Sequence, residues 1–189
     1  VLHNGVFLAY QALWAAPWLR DVAGFDRAAV ADAMFMFNAG MFAGVLSVGF
    51  LAERLQRLGV PTVVPAAVGI FLSIFVQVLF AAGWTDYPTL LCTLFGYFGA
   101  TATLAYAVLN QHFPQNLTGR VNTAQNMLSF IAAFAVQWLV GVIIGYYPSP
   151  GDGLYSADGH QSALIVFIGI EIAGFVFFLW PRRRGDGLP

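Results

Sequence analysis

Six apolar stretches separated by short polar breaks make up nearly the whole chain, at about residues 1–19, 28–51, 60–83, 88–109, 121–146 and 162–180. Each is close to the roughly 20 residues an α-helix needs to cross the hydrocarbon core of a bilayer. The pattern therefore predicts an all-α, polytopic membrane protein: one bundle of six transmembrane helices over residues 1–189. Between the stretches lie "RDVAGFDR", "AERLQRLG", "WTDY", "NQHFPQNLTGR" and "YPSPGDGLYSADGHQ", with "PRRRGDGLP" as the tail. These breaks are polar and rich in Pro and Gly, as turns between neighbouring helices are.

Composition sharpens the class. Hydrophobic residues are 59% and charged residues 9% of the chain, where a soluble domain carries about 25% charged residues; the apolar excess has to face lipid, so the bilayer is the first partner. A net charge of −1 offers no basic face for nucleic acid. Cys92, the single cysteine, lies inside an apolar run, which excludes a disulfide framework or a zinc knuckle. His3, His112 and His160 fall at helix ends or in breaks and do not cluster with other ligand types, so no metal site and no cofactor is expected.

All eight basic residues are arginine, which suggests a GC-rich coding sequence, a bacterial source and hence the cytoplasmic (inner) membrane. Six spans put both ends of the chain on one side. That side holds Arg54, Arg57, Arg120, Arg182, Arg183 and Arg184 against Arg20 and Arg27 on the other, so the positive-inside rule makes both ends cytoplasmic. On that side "NLT" at residues 116–118 is a chance match to the glycosylation pattern. The chain opens on Val1 and lacks a signal-peptide pattern, and it reads as a fragment.

"GFLAERLQRLG", running from Gly49 to Gly59, concentrates one acid and two arginines in a chain otherwise almost free of charge. It resembles the loop motif of the major facilitator superfamily, with Gly49, Leu51, Ala52, Glu53, Arg54, Arg57 and Gly59 in the motif's places, Glu53 standing for the usual Asp and one extra residue between the bases. "FPQNLTGRVNTAQN", with Pro114, Gly119 and Arg120, is similar to the loop between spans ten and eleven of that family. The resemblance implies spans seven to twelve of a twelve-helix secondary transporter, a missing N-terminal six-helix half (or a second copy) as partner, and a small solute carried at a midplane site by alternating access. Physically, Gly49, Glu53, Arg54, Arg57, Gly59 and Arg120 suit a cytoplasmic gate latch, because an acid at a helix end favours a neighbouring N-terminus and arginines pair with carboxylates and carbonyls.

Candidate path residues are polar or aromatic positions within spans. Asn4, Phe7, Gln11, Trp14 and Trp18 recur at helical spacing on the first, with Trp18 an interfacial anchor; the resemblance, in which spans seven and ten line the central cavity, implies Gln11 and Trp14 as substrate contacts. Asn122, Asn126, Ser129 and Gln137 share one side of the fifth, while Asn38 and Tyr97 sit near the middles of the second and fourth; cavity lining and interhelical bonding suit these equally. "GMFAG" and "GVIIG" are small-xxx-small patterns that allow close helix crossings.

Glu171, with apolar neighbours for about two turns either way, must be protonated, paired or turned into the bundle. By chemistry it is a proton-coupling candidate; the resemblance, which puts span twelve at the periphery, favours a structural hydrogen bond. Asp32 needs no more than a helix N-terminus to favour it. An intramembrane protease would need a GxSxG-like serine, and a channel would need half-helix or filter signatures; neither is found. The expectation is a carrier rather than an enzyme, with substrate and coupling mode open.

Overall fold

The structure, a computed structural model, describes residues 1–179. Trp180 and the arginines Arg182, Arg183 and Arg184 of the orientation count lie outside the described residues. Among the described residues every regular element is helical: α1 (Leu2–Ala9), α2 (Ala15–Asp21), α3 (Arg27–Arg57), α4 (Val63–Ala81), α5 (Pro88–Gly99), α6 (Leu104–Asn110), α7 (Thr118–Gly145) and α8 (Ala157–Leu179). A π-helical turn, Tyr10–Trp14, joins α1 to α2 with helical dihedrals at both joins, so residues 2–21 form one rod. A 3₁₀ turn, Ala100–Thr103, joins α5 to α6 in the same way. The result is six rods, and α3, α4, Pro88–Asn110, α7 and α8 are each long and apolar enough to cross a membrane.

Local chemistry explains where the rods begin and end. Asp26 caps α3 by accepting from the Ala29 amide at 2.8 Å, and Pro88 starts α5 where its missing N–H costs nothing. At the other end of α3, Gly59 takes φ +82° while its amide bonds the Gln56 carbonyl and the Val60 amide bonds the Leu55 carbonyl. This paired closure needs a left-handed residue, and glycine adopts that conformation without a Cβ penalty. Gly83 closes α4 by the same pair of bonds, from Gly83 to Phe80 and from Trp84 to Leu79.

One boundary differs from expectation by almost two turns. The break read as "AERLQRLG" is helical through Arg57, because Ala, Glu, Arg, Leu and Gln are all strong helix formers and the stop comes only with Gly59. The fourth rod, expected to be continuous, is interrupted at Ala100–Thr103, where the Thr101 and Thr103 hydroxyls bond back to the carbonyls of Phe98 and Ala100. Such back-bonding competes with the helical ladder.

Inside a bilayer the rods gain little from the hydrophobic effect, so close van der Waals contact has to hold them. The closest crossing joins α3 to α5: a Cβ added at Gly40 would overlap the Thr93 carbonyl, one at Gly44 the Tyr97 carbonyl, and one at Gly96 the Phe37 carbonyl. "GMFAG" therefore marks a tight backbone approach. "GVIIG" does not: Gly141 sits in ordinary contact with the Trp14 ring and a Cβ at Gly145 would meet open space. At the centre, Phe7, Phe37, Phe80 and Phe95 interlock edge-on or stacked, with centroids 5.5–5.8 Å apart.

The covering is uneven. Of the apolar stretch of α3 22% is buried and of α7 28%, against 44% for Pro88–Asn110. The two longest rods are thus the two least covered, and Phe35, Phe42, Leu46, Phe50, Phe130 and Phe134 stand exposed along them.

Candidate functional site

A cavity of about 470 Å³ opens between α3 and α7, floored by the first rod and lined by Leu8, Gln11, Ala12, Asn38, Phe130, Ala133, Phe134 and Gln137. Gln11 reaches it from within the π turn, and its Nε2 donates to Asn38 Oδ1 at 3.3 Å and to Met41 Sδ at 3.2 Å. Asn38 in turn donates to the Met34 carbonyl at 2.7 Å. These bonds fix both amides while leaving the Gln11 carbonyl oxygen and the whole Gln137 amide without a partner among the described residues. No ionisable side chain lines the cavity, so it offers neutral donors and acceptors between aromatic walls.

The other candidates of the first rod fall elsewhere. Trp14 is buried, donates through Nε1 to the Gln137 carbonyl at 3.1 Å, and packs on Tyr155 and His160 rather than lining the cavity. Gly141 leaves room for its indole. Trp18 is buried against Phe80 at 4.6 Å. Beyond the cavity, Asn126 lies one turn before Phe130 on α7 and accepts from the Tyr106 hydroxyl at 3.2 Å. Asn122 keeps a buried Oδ1 without a partner, as do Gln125 and Ser129 through their side-chain oxygens. Tyr97 accepts from the Ser47 hydroxyl at 2.9 Å across the α3–α5 crossing.

The charged motif lies on the last turns of α3. Its one closed pair is Glu53 with Arg57, at 2.6 Å on an exposed helix face, where such a pair is worth little. Arg54 and Arg120 have no ion pair among the described residues, and a Cβ at Gly49 would meet nothing within 4 Å. Gly59 serves as the helix stop described above. Phe50, Glu53, Arg54 and Arg57 frame a shallow open depression on this face. Gln111 reaches Thr62 at 3.1 Å, which places the α3–α4 turn and the approach to α7 at one end of the bundle.

Two polar networks tie distant parts of the chain together, one around Asp21, which the sequence did not single out, and one around Glu171, which it did. At the end opposite the motif, the fully buried Asp21 carboxylate takes Arg20 Nε at 2.6 Å on one oxygen, and the Tyr155 amide at 3.2 Å and His160 Nε2 at 3.0 Å on the other. Arg20 also donates to the Gly153 carbonyl at 3.2 Å; bonding to the Asp21 carboxylate raises the Arg20 pKa above its ordinary value. In the bundle interior Glu171, 3% exposed, meets Gln77 from α4 and His3 from the first rod. Gln77 had a local signal, an amide in the apolar run "FVQVLF"; Asp21 and His160 had none, since a polar residue at a span end is ordinary.

Compared with family models, curated proteins and solved structures, the chain matches none. The geometry therefore stands by itself. It can hold a small neutral or zwitterionic molecule through amides, and it places a carboxyl with an imidazole away from that cavity.

Proposed function

We propose that this chain is one six-helix half of a major facilitator-like secondary carrier, moving a small polar, uncharged or zwitterionic solute across the cytoplasmic membrane by alternating access. The observation that carries the reading is the amide-lined cavity of Gln11, Asn38 and Gln137. It is open on the side where α3 and α7 are least covered, as half of a midplane site between two rocking bundles would be. A second bundle, from an N-terminal half or another copy, covers α3 and α7 and supplies the groups that meet Glu53, Arg54, Arg57 and Arg120 when the latch closes.

The test is solute entry into proteoliposomes that hold the assembled carrier, with a panel of neutral and zwitterionic solutes. A carrier gives saturable entry and counterflow, both lost in Gln11→Leu with Asn38→Leu while the helical circular dichroism is kept. Non-saturating flux without counterflow would replace the carrier by a channel, and flux unaffected by the two substitutions would remove the cavity from the path.

A further inference from the structure

Glu171 is surrounded by polar atoms that lack partners. Its Oε2 accepts from Gln77 Nε2 at 2.7 Å, whereas its Oε1 lies 3.4 Å from His3 Nδ1 without a hydrogen bond. Both His3 nitrogens, Gln77 Oε1, Glu171 Oε1, Tyr10 OH and Ser73 Oγ are buried and unbonded. Ser73 lies one turn before Gln77 on α4, and Tyr10 is within electrostatic reach of Glu171. Buried polar atoms are nearly always paired, so a concentration of unpaired ones about a single carboxyl points to a group that arrives and leaves.

Charge counting identifies that group. With His3 neutral and Glu171 ionised the buried pair carries a net −1; one added proton, on either partner, makes it net zero. No other bond changes and no electrons move. A net charge is costly in an apolar bundle and a neutral pair is not. Among the described residues no side chain of the packed rods is a rival counter-ion: α4 brings only Gln77 and Ser73, α7 carries a single charge, Arg120, exposed in its first turn, and Asp158 and His160 sit at the far end of α8. The remaining titratable groups in reach are Tyr10 and the Val1 amino group, the one other cation that Glu171 meets and one that the count for the pair leaves aside. Of the pair, the His3 side chain is 11% exposed and the Glu171 side chain 0%, so His3 is the way in.

We propose that Glu171 and His3 form a one-proton binding site inside the bundle, separate from the solute cavity. Its use as the coupling site rests on the carrier reading; its existence does not. Infrared difference spectra between acid and alkaline pH, taken on the purified chain in lipid without solute, test it. The expected result is a pH-dependent carboxyl or imidazole band in the wild type that is lost in Glu171→Gln and displaced along the pH axis in His3→Gln, with both variants keeping their helical circular dichroism. Identical difference spectra for wild type and Glu171→Gln would overturn the site, as would a band that responds to sodium at fixed pH and ignores His3→Gln, since Glu171, Gln77, Ser73 and Tyr10 would then be oxygen ligands of a cation. In the assembled carrier, Glu171→Gln should abolish accumulation driven by a pH gradient and preserve counterflow; accumulation that persists would overturn the coupling role alone.

Discussion

Among the described residues two acids, Asp21 and Glu171, have buried side chains with a histidine nearby, yet they are built for opposite ends. Asp21 has both oxygens occupied, by an arginine, a backbone amide and an imidazole, and all of them hold the α7–α8 connection against the end of the first rod. Glu171 has one strong bond, to Gln77, and a histidine at ion-pair distance, 3.4 Å, that makes no hydrogen bond to it. A filled network rigidifies, and a partly filled one leaves room for change. The same residue types thus make a clamp in one place and a loading site in another, and the difference is the number of donors supplied.

The comparison is most easily broken at Asp21. Asp21→Ala leaves the buried His160 ring without its acceptor and removes the anchor of the exposed Tyr155 amide, and a loss of about 3–5 kcal/mol is expected, as for other buried pairs stripped of one partner. The free, buried thiol of Cys92 reports it, since it reacts only when the bundle opens; unchanged thiol-reaction melting would mean the connection is held by Trp14 and Tyr155 packing. Glu171→Ala should cost less, about 1–3 kcal/mol, because a single donor, Gln77 Nε2, is orphaned, while Glu171→Gln should lie near wild type. If Glu171→Ala matched Asp21→Ala in the same melting assay, the second network would be as structural as the first.

Gln77→Leu should cost about as much as Glu171→Ala, roughly 1–3 kcal/mol, because it leaves the buried Glu171 Oε2 without its donor. A larger loss would show that Gln77 holds Glu171 in place for more than its one bond. The exposed Glu53–Arg57 pair sets the floor: Glu53→Ala should move the stability of the bundle by no more than about 0.5 kcal/mol. On the carrier proposal the same substitution should change transport rate. No effect there would leave the motif as a helix end and an orientation signal.

Much of the architecture was legible because a bilayer makes run length informative, and all six apolar stretches became rods. What the runs did not disclose lies at their ends and across them. The residues from Ala52 to Arg57 read as a break because they are charged, although their helix propensity carries α3 on to Gly59. In the first rod, Phe7, Trp14 and Trp18 are buried while Gln11, from the same expected stripe, reaches the open cavity. This rod is central, touching α3, α7 and α8, so more than one face is covered, and the π turn that carries Gln11 has no local sequence signal.

Glu171 was visible as an anomaly, but His3 and Gln77 were not visible as its partners. Gln77 lies 94 residues away, and no periodicity records a pairing over that distance. The amides Gln11 and Asn38 were both candidates, and what the fold added was their contact and the cavity they share with Gln137.

The placement of the first rod also bears on how the protein is made. Its bonds are to segments synthesised much later: Trp14 to a carbonyl 123 residues on, Asp21 to a histidine 139 residues on. During biogenesis the Trp14 indole and the Asp21 carboxylate must therefore wait in or beside the membrane without these partners until α7 and α8 emerge. The rod at the heart of the bundle is made early and settled last, which makes it the segment most dependent on the insertion machinery or on a neighbouring bundle already in place.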